Sequence, residues 1–262
     1  MKSNPSEKTD LEKIMSTHNN IFRYFSFKRF EEMVYSGTIS ARNPSCWPDQ
    51  YELFWNHKLN SKEGKQQLSV FLRGKVPGKD TEWYEKTNCA VIKLLYERMS
   101  AICFTKTGDR EVMWRAYSDN NCSVMIKTRV DKLLNLQEYN DDVGLLLKEV
   151  KYVEDEDFNV DYFLDKISIP CDGIIGLDNV EDLFLIKRKE FQYENEARLL
   201  VKQMDFNDIK ERVLLTIPEP SSFIDGVMVH PLAENYHVEK VKIICESYRI
   251  PFLGRSQVYN LK

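Results

Sequence analysis

Two glutamates, Glu194 and Glu196, stand two residues apart where an apolar run, Ala197 to Lys202, begins. If that run is a strand, both side chains point to one face. A carboxylate at a strand mouth can polarise a substrate hydroxyl, hold a ribose or act as a general base. The competing reading is a solvated edge or a salt bridge to Arg198. Arg23 sits between Phe22 and Tyr24 in an aromatic run. It is either the outward member of a period-two strand or a cleft-facing anion ligand, since guanidinium matches phosphate bidentately. A third group lies in the stretch Ile102 to Tyr117, where an apolar strand leads through a polar loop into a helical turn carrying Met113, Trp114 and Tyr117. Met113 and Tyr117 share a helix face. The aromatics either wall a pocket or belong to the core. Asp49 and Glu52 either line a cleft mouth or close a turn. His230, before Pro231, reads as a structural histidine.

The elements that must position these groups follow from periodicity and punctuation. Ile21 to Phe25 reads as a first strand. Ser26 then caps a helix carrying Phe27, Phe30, Met33 and Val34, which ends at Gly37. Thr38 to Ala41 is a second short strand. Leu68 to Arg73 and Trp83 to Met99 read as helices, Cys122 to Thr128 as a strand, and Val130 to Leu136 and Val143 to Lys148 as short helices. Val150 to Val153 is a strand and Val180 to Lys189 a helix. Arg212 to Ile217 and Phe223 to Val229 are strands. Asn235 to Cys245 is a helix or a helix running into a strand. Gly254 to Tyr259 closes the fold. Strands and helices mix without regular β-α-β alternation, which predicts an α+β fold rather than a doubly wound sheet. The expected organisation is a flexible segment over residues 1–19 and one α+β domain over residues 20–262.

Composition narrows the functional classes. The 262 residues are 42% hydrophobic and 30% charged, with a formal net charge of −4. That balance argues against a protein that coats nucleic acid by neutralising phosphates. The six cysteines form no Cys-x-x-Cys pair and the four histidines lie far from them in sequence, so no metal is expected. No apolar run reaches the length of a membrane span, and no secretory signal is legible near Met1, so no membrane partner and a cytoplasmic location are expected. There is no Gly-x-Gly-x-x-Gly, Walker loop, Gly-x-Ser-x-Gly or His-Glu-x-x-His.

Four stretches, in order, resemble a bacterial family known as domain of unknown function 2971. They are Phe22-Arg-Tyr-Phe-Ser26; Pro48-Asp-Gln-Tyr-Glu52; Cys103-Phe-Thr105 with Met113-Trp-Arg-Ala-Tyr117 and Ser123-Val124; and Lys187 and Phe191 with Tyr193-Glu-Asn-Glu-Ala-Arg198. The chain departs from the family pattern at Phe25, where the family has Arg, at Gln50, where it has Pro, and at Ser123, where it has Gly. That motif order is in turn similar to ADP-ribosyltransferases. The resemblance implies a split, mostly antiparallel sheet flanked by helices. It also implies an ADP-ribosyltransferase or NAD glycohydrolase that takes NAD as substrate, in a toxin or anti-phage defence setting. On this resemblance Glu196 is the catalytic carboxylate, with Arg23 and Tyr117. The cofactor contacts are Arg23, Tyr24, Thr105, Trp114 and Glu194. The implied partners are a small-molecule nucleotide, a macromolecular acceptor and a protein partner. The rival reading is a non-catalytic ligand-sensing or protein-interaction module on the same scaffold.

Overall fold

The computed structural model describes residues 19–47, 50–53, 58, 61–87, 97–118, 120–154, 161, 164, 167–168, 176–177, 180–205 and 207–260. β1 (Asn20–Ser26) leads into helix α1 (Phe27–Ser36), and β2 (Thr38–Arg42) follows. The start and stop of α1 are local chemistry. The Ser26 side chain accepts from the backbone N–H of Arg29, and Gly37 closes the helix at φ 63, where a glycine carries no Cβ penalty. Phe30, Met33 and Val34, spaced three and four apart, are the buried stripe of α1. Two 3₁₀ turns (Pro44–Cys46 and Gln50–Leu53) and α2 (Lys62–Lys75) precede β3 (Met99–Thr105). Then come α3 (Glu111–Ala116), β4 (Ser123–Arg129), α4 (Val130–Leu134), β5 (Val143–Glu149) and β6 (Lys151–Val153). β7 (Ile167–Ser168) and β8 (Gly176–Leu177) pair with each other. β9 (Ile186–Arg188) is joined by a 3₁₀ turn (Lys189–Glu194) to β10 (Glu196–Gln203). β11 (Arg212–Thr216), α5 (Pro220–Phe223), β12 (Gly226–Val229), α6 (Asn235–Ser247) and β13 (Phe252–Arg255) complete the described chain.

The main sheet has nine strands in the path β11-β2-β3-β1-β4-β12-β13, with β10 pairing β3 and β5 off that path. Pairing in it is antiparallel except between β12 and β13. The sheet splits at β3. One edge of β3 pairs β10 along its whole length. Along the other edge the register contains Phe22↔Thr105 with β1 and Arg42↔Ala101 with β2. β1 turns away to pair fully with β4. Ile102 to Phe104 therefore face a gap between β1 and β2 rather than a continuous ladder.

β10 is apolar on both faces. Leu199 and Val201 join the larger core with Phe30, Ile102 and Phe104, while Leu200 turns to a second cluster with Leu68, Leu72 and Ile186. A third cluster gathers Tyr24, Met113, Trp114 and Met125 beside α3.

Three sequence expectations are corrected. Val143 to Lys148 is strand, because its apolar residues pair with those of β10 rather than covering a sheet face as a helix would. Val180 to Lys189 is a 3₁₀ turn (Val180–Phe184) followed by β9, held in parallel pairing to β6. Met99 opens β3 instead of closing a helix, although residues 83–87 are helical as expected and residues 88–96 of that stretch lie outside the described residues. Asp49, Cys89 and Cys171 also lie outside them.

Candidate active site in the split of the sheet

The gap beside β3 opens into a cavity of about 910 Å³. Arg23, Tyr24, Thr105, Tyr117, Glu194 and Glu196 all line it, drawn from β1, β3, the end of α3 and the approach to β10. The split explains the position of Arg23. An open strand edge leaves backbone acceptors without a ladder partner, and the Arg23 guanidinium donates to the Cys103 carbonyl at 2.6 Å. Arg23 thus faces the cleft, with Phe25 and Phe104 rings each 5.9 Å from its guanidinium carbon. Burial lowers its pKa from the ordinary value, with neighbouring Arg29 pushing the same way.

Glu194 and Glu196 converge by a route that strand periodicity does not supply. Glu194 ends the 3₁₀ turn, Asn195 takes the left-handed conformation at φ 45, and Glu196 begins β10. Asn195 is suited to that backbone, and its side chain donates to the Thr107 hydroxyl at 2.9 Å. Both carboxylates then reach the Lys187 ammonium, Glu194 at 2.6 Å and Glu196 at 3.2 Å. Glu52 closes the same ring, 3.2 Å from Lys187 and 2.6 Å from Arg198. Arg198 grips Glu196 through Nε at 2.8 Å and Nη2 at 3.1 Å, and its remaining nitrogen donates to the Phe184 carbonyl at 2.7 Å. The solvated-edge reading of the two glutamates is therefore corrected. Glu196 is 3% exposed and Arg198 1%. The salt bridge to Arg198 and a place on the cavity wall coexist.

The two glutamates titrate in opposite directions. Burial alone would raise Glu196, but Arg198 and Lys187 outweigh it and hold the carboxyl well below the usual range. Burial dominates at Glu194 and raises it despite Lys187. Lys187 and Arg198 are both raised, because the carboxylates around them more than offset their own desolvation. The Glu196 backbone is pinned as well, its N–H donating to the Tyr152 hydroxyl at 2.8 Å. Tyr117 is 38% exposed as a residue and lines the cavity. Burial and then Glu194 raise that phenol.

Trp114 is not brought to the cavity. It is fully buried, edge-on to Tyr24 at 4.7 Å and to His230 at 5.4 Å, with its indole N–H donating to Asp109 at 2.6 Å. It backs the cavity wall through Tyr24, whose hydroxyl donates to the Gly108 carbonyl at 3.0 Å. His230 is structural: buried, with Nδ1 accepting from the Leu232 N–H at 3.1 Å. Lys187 has no assigned role in the sequence reading, although it lies inside a quoted stretch; Arg198 enters there only as a salt-bridge partner, and Glu52 as a residue that either lines a cleft mouth or closes a turn. Tyr152 had no signal beyond membership of a strand. Among the described residues no group of three or more His, Cys, Asp and Glu side chains could hold a metal ion, and no helix is long and apolar enough to cross a membrane.

Among solved structures, the chain is similar to Thermus sp. 2.9 DarT in complex with NAD+, with a TM-score of 0.39, 10% identity, and coverage of 93% of this chain and 98% of that one. The same protein in complex with ADP-ribosylated ssDNA gives a TM-score of 0.38, 10% identity, and coverage of 92% and 96%. No curated protein matches the sequence. Residues 113–199, which run from Met113 of α3 into β10 and carry Tyr117, Lys187, Glu194 and Glu196, match the family described as Protein of unknown function (DUF2971), the family whose motifs the sequence resembles.

Proposed function

We propose that the chain is an NAD-consuming ADP-ribosyltransferase or NAD glycohydrolase, with Glu196 as the charge-bearing catalytic residue. The observation that carries this reading is the meeting of Arg23, Tyr117 and Glu196 on one cavity, from parts of the sequence far apart, with Glu196 held ionised in a buried setting. Cleavage of the nicotinamide–ribose bond leaves positive charge on the ribose. A fixed carboxylate in a water-poor site stabilises that charge more than solvent could, because it needs no reorganisation as the charge develops. Lys187 and Arg198 fix its orientation and keep it deprotonated. Aromatic residues of the wall, among them Tyr24 and Tyr117, offer faces for the departing ring, and Arg23 offers a cation to the phosphates. The acceptor is water or a macromolecule, and a toxin or anti-phage defence role belongs to the same proposal.

The test is incubation with NAD and mass detection of free nicotinamide and of any ADP-ribosylated product. Glu196→Gln keeps shape and removes charge, so nicotinamide release should fall on the order of 100- to 1000-fold while NAD still binds. A parent protein that neither binds nor cleaves NAD ends the proposal. Full activity in Glu196→Gln moves the chemistry to another residue. If the toxin role holds, expression of the parent should slow growth and expression of Glu196→Gln should not.

A second reading, a ligand-sensing or protein-interaction module on this scaffold, is favoured by two observations. Both oxygens of Glu196 are already engaged by cations. Phe25, where the family has Arg, is a buried side chain of the main core. NAD binding without nicotinamide release would select this reading.

A further inference from the structure

β2 and β11 pair antiparallel with Arg42 directly opposite Arg212. Like charges in one cross-strand pair repel, and neither arginine has an ion-pair partner among the described residues. Arg212 Nε instead donates to the Ser40 hydroxyl at 2.8 Å, two residues along β2 and on the same face as Arg42. All three side chains line the cavity, as does Arg29 of α1. Glu32 lines the cavity too, and its other lining carboxylates, Glu52, Glu194 and Glu196, are held by Lys187 and Arg198. At the other end, around Glu196, the charges are close to balanced.

The register fixes the spacing. Arg42 pairs with Ala101, and Thr105, four residues further along β3, is opposite Glu196. At about 3.3 Å per residue the arginine pair lies roughly 13 Å from the glutamate along the strand. Two guanidinium forks and a hydroxyl suit a tetrahedral dianion, whose oxygens accept from both forks at once and whose charge relieves their repulsion. A single carboxylate would satisfy only one fork.

We propose that Arg42, Arg212 and Ser40 form a binding site for a phosphate or pyrophosphate group at the end of the cavity remote from Glu196. The site stands without the transferase reading; within it, the phosphate belongs either to the dinucleotide or to the acceptor.

Calorimetric titration with inorganic pyrophosphate tests it on the full chain. The parent should bind, more weakly as salt rises, and R42Q/R212Q should lose at least tenfold in affinity. Titrations with NAD and with nicotinamide riboside separate the sources. Selective loss of NAD affinity in R42Q/R212Q assigns the site to the dinucleotide. Unchanged NAD affinity with lost pyrophosphate binding assigns it to the acceptor. Both outcomes support the site, and neither depends on nicotinamide release. A parent that does not bind pyrophosphate, or a double variant that binds it as the parent does, overturns it. The variants should also melt at or above the parent's temperature, because a repulsive pair has been removed. A drop of many degrees would mark the arginines as structural and overturn the assignment.

Discussion

At the scale of single residues, the candidate site is an argument about charge in a place that disfavours charge. Five ionisable side chains, Glu52, Lys187, Glu194, Glu196 and Arg198, make ion pairs with almost no exposure to water. Such a cluster holds only while it is complete, because removing one member strands its partners. Arg198→Met should cost about 3–5 kcal/mol by urea denaturation, since it leaves Glu196 and Glu52 short of a cation. An effect below about 1 kcal/mol, the range of exposed pairs, would mean that water reaches the cluster. The pH dependence has a definite sign. Glu196 is lowered from the ordinary 4.5 to about 2. Its contribution is fully present above the ordinary value and is lost as pH falls through the folded one. The stability gap between the parent and Glu196→Gln should therefore narrow between pH 5 and pH 2. A constant gap over that range would show that Glu196 is not held ionised by its neighbours. Glu194, raised by burial, contributes with the opposite sign.

At the scale of elements, the short segment between β9 and β10 decides where the glutamates go. Asn195 holds φ 45, and its carbonyl accepts from the Lys106 N–H at 2.9 Å. Asn195→Gly keeps that backbone freely and should leave nicotinamide release within a few-fold of the parent. Asn195→Val places a β-branched residue in the left-handed region, at a cost of about 1–3 kcal/mol, and should lower release far more. Equal activity in the two variants would show that the turn does not set the carboxylate. The sequence disclosed this region only in part. Strand period two put Glu194 and Glu196 on one face, and they do converge, but through a 3₁₀ turn and one left-handed residue that the alternation of polar and apolar side chains does not encode. The capped helix from Ser26 to Gly37 was legible because its signals are local. β5 was not, because Val143 to Lys148 is short and its strand character comes from pairing with β10, a partner fifty to sixty residues away. Trp114 was legible as a large anchor, but whether it walls the cavity or backs it depends on Tyr24 lying between, which spacing cannot show. Trp114→Ala should cost about 3–5 kcal/mol, measured by thermal or urea unfolding. A variant that melts with the parent would remove it from the core.

At the scale of the whole molecule, the split sheet places a site at a mechanical seam. β1 and β4 pair over seven positions, and β10 and β3 over seven, but β1 meets β3 in the register at Phe22↔Thr105. The two halves of the sheet are therefore joined thinly where Arg23 bridges to Cys103. Order in a fold is not uniform, and regions with few ladder bonds open at lower free energy than the strands around them. A ligand lying in the split touches β1 on one side and β3 and β10 on the other, so it supplies the contacts the seam lacks. Binding to the folded state alone stabilises by mass action, about 2.7 kcal/mol when the ligand is at 100 times its Kd. The expectation is specific in space as well as in size. Saturating NAD should slow amide exchange most over Arg23–Ser26 and Ile102–Thr105, and little in β12, β13 and α6, which pack away from the cavity. In Arg23→Gln the same protection should shrink, because the bridge and the cation go together. Uniform protection across the sheet would mean that the ligand acts through global stability alone. Protection centred on α6 or β13 would place the ligand outside the split and detach the seam from function.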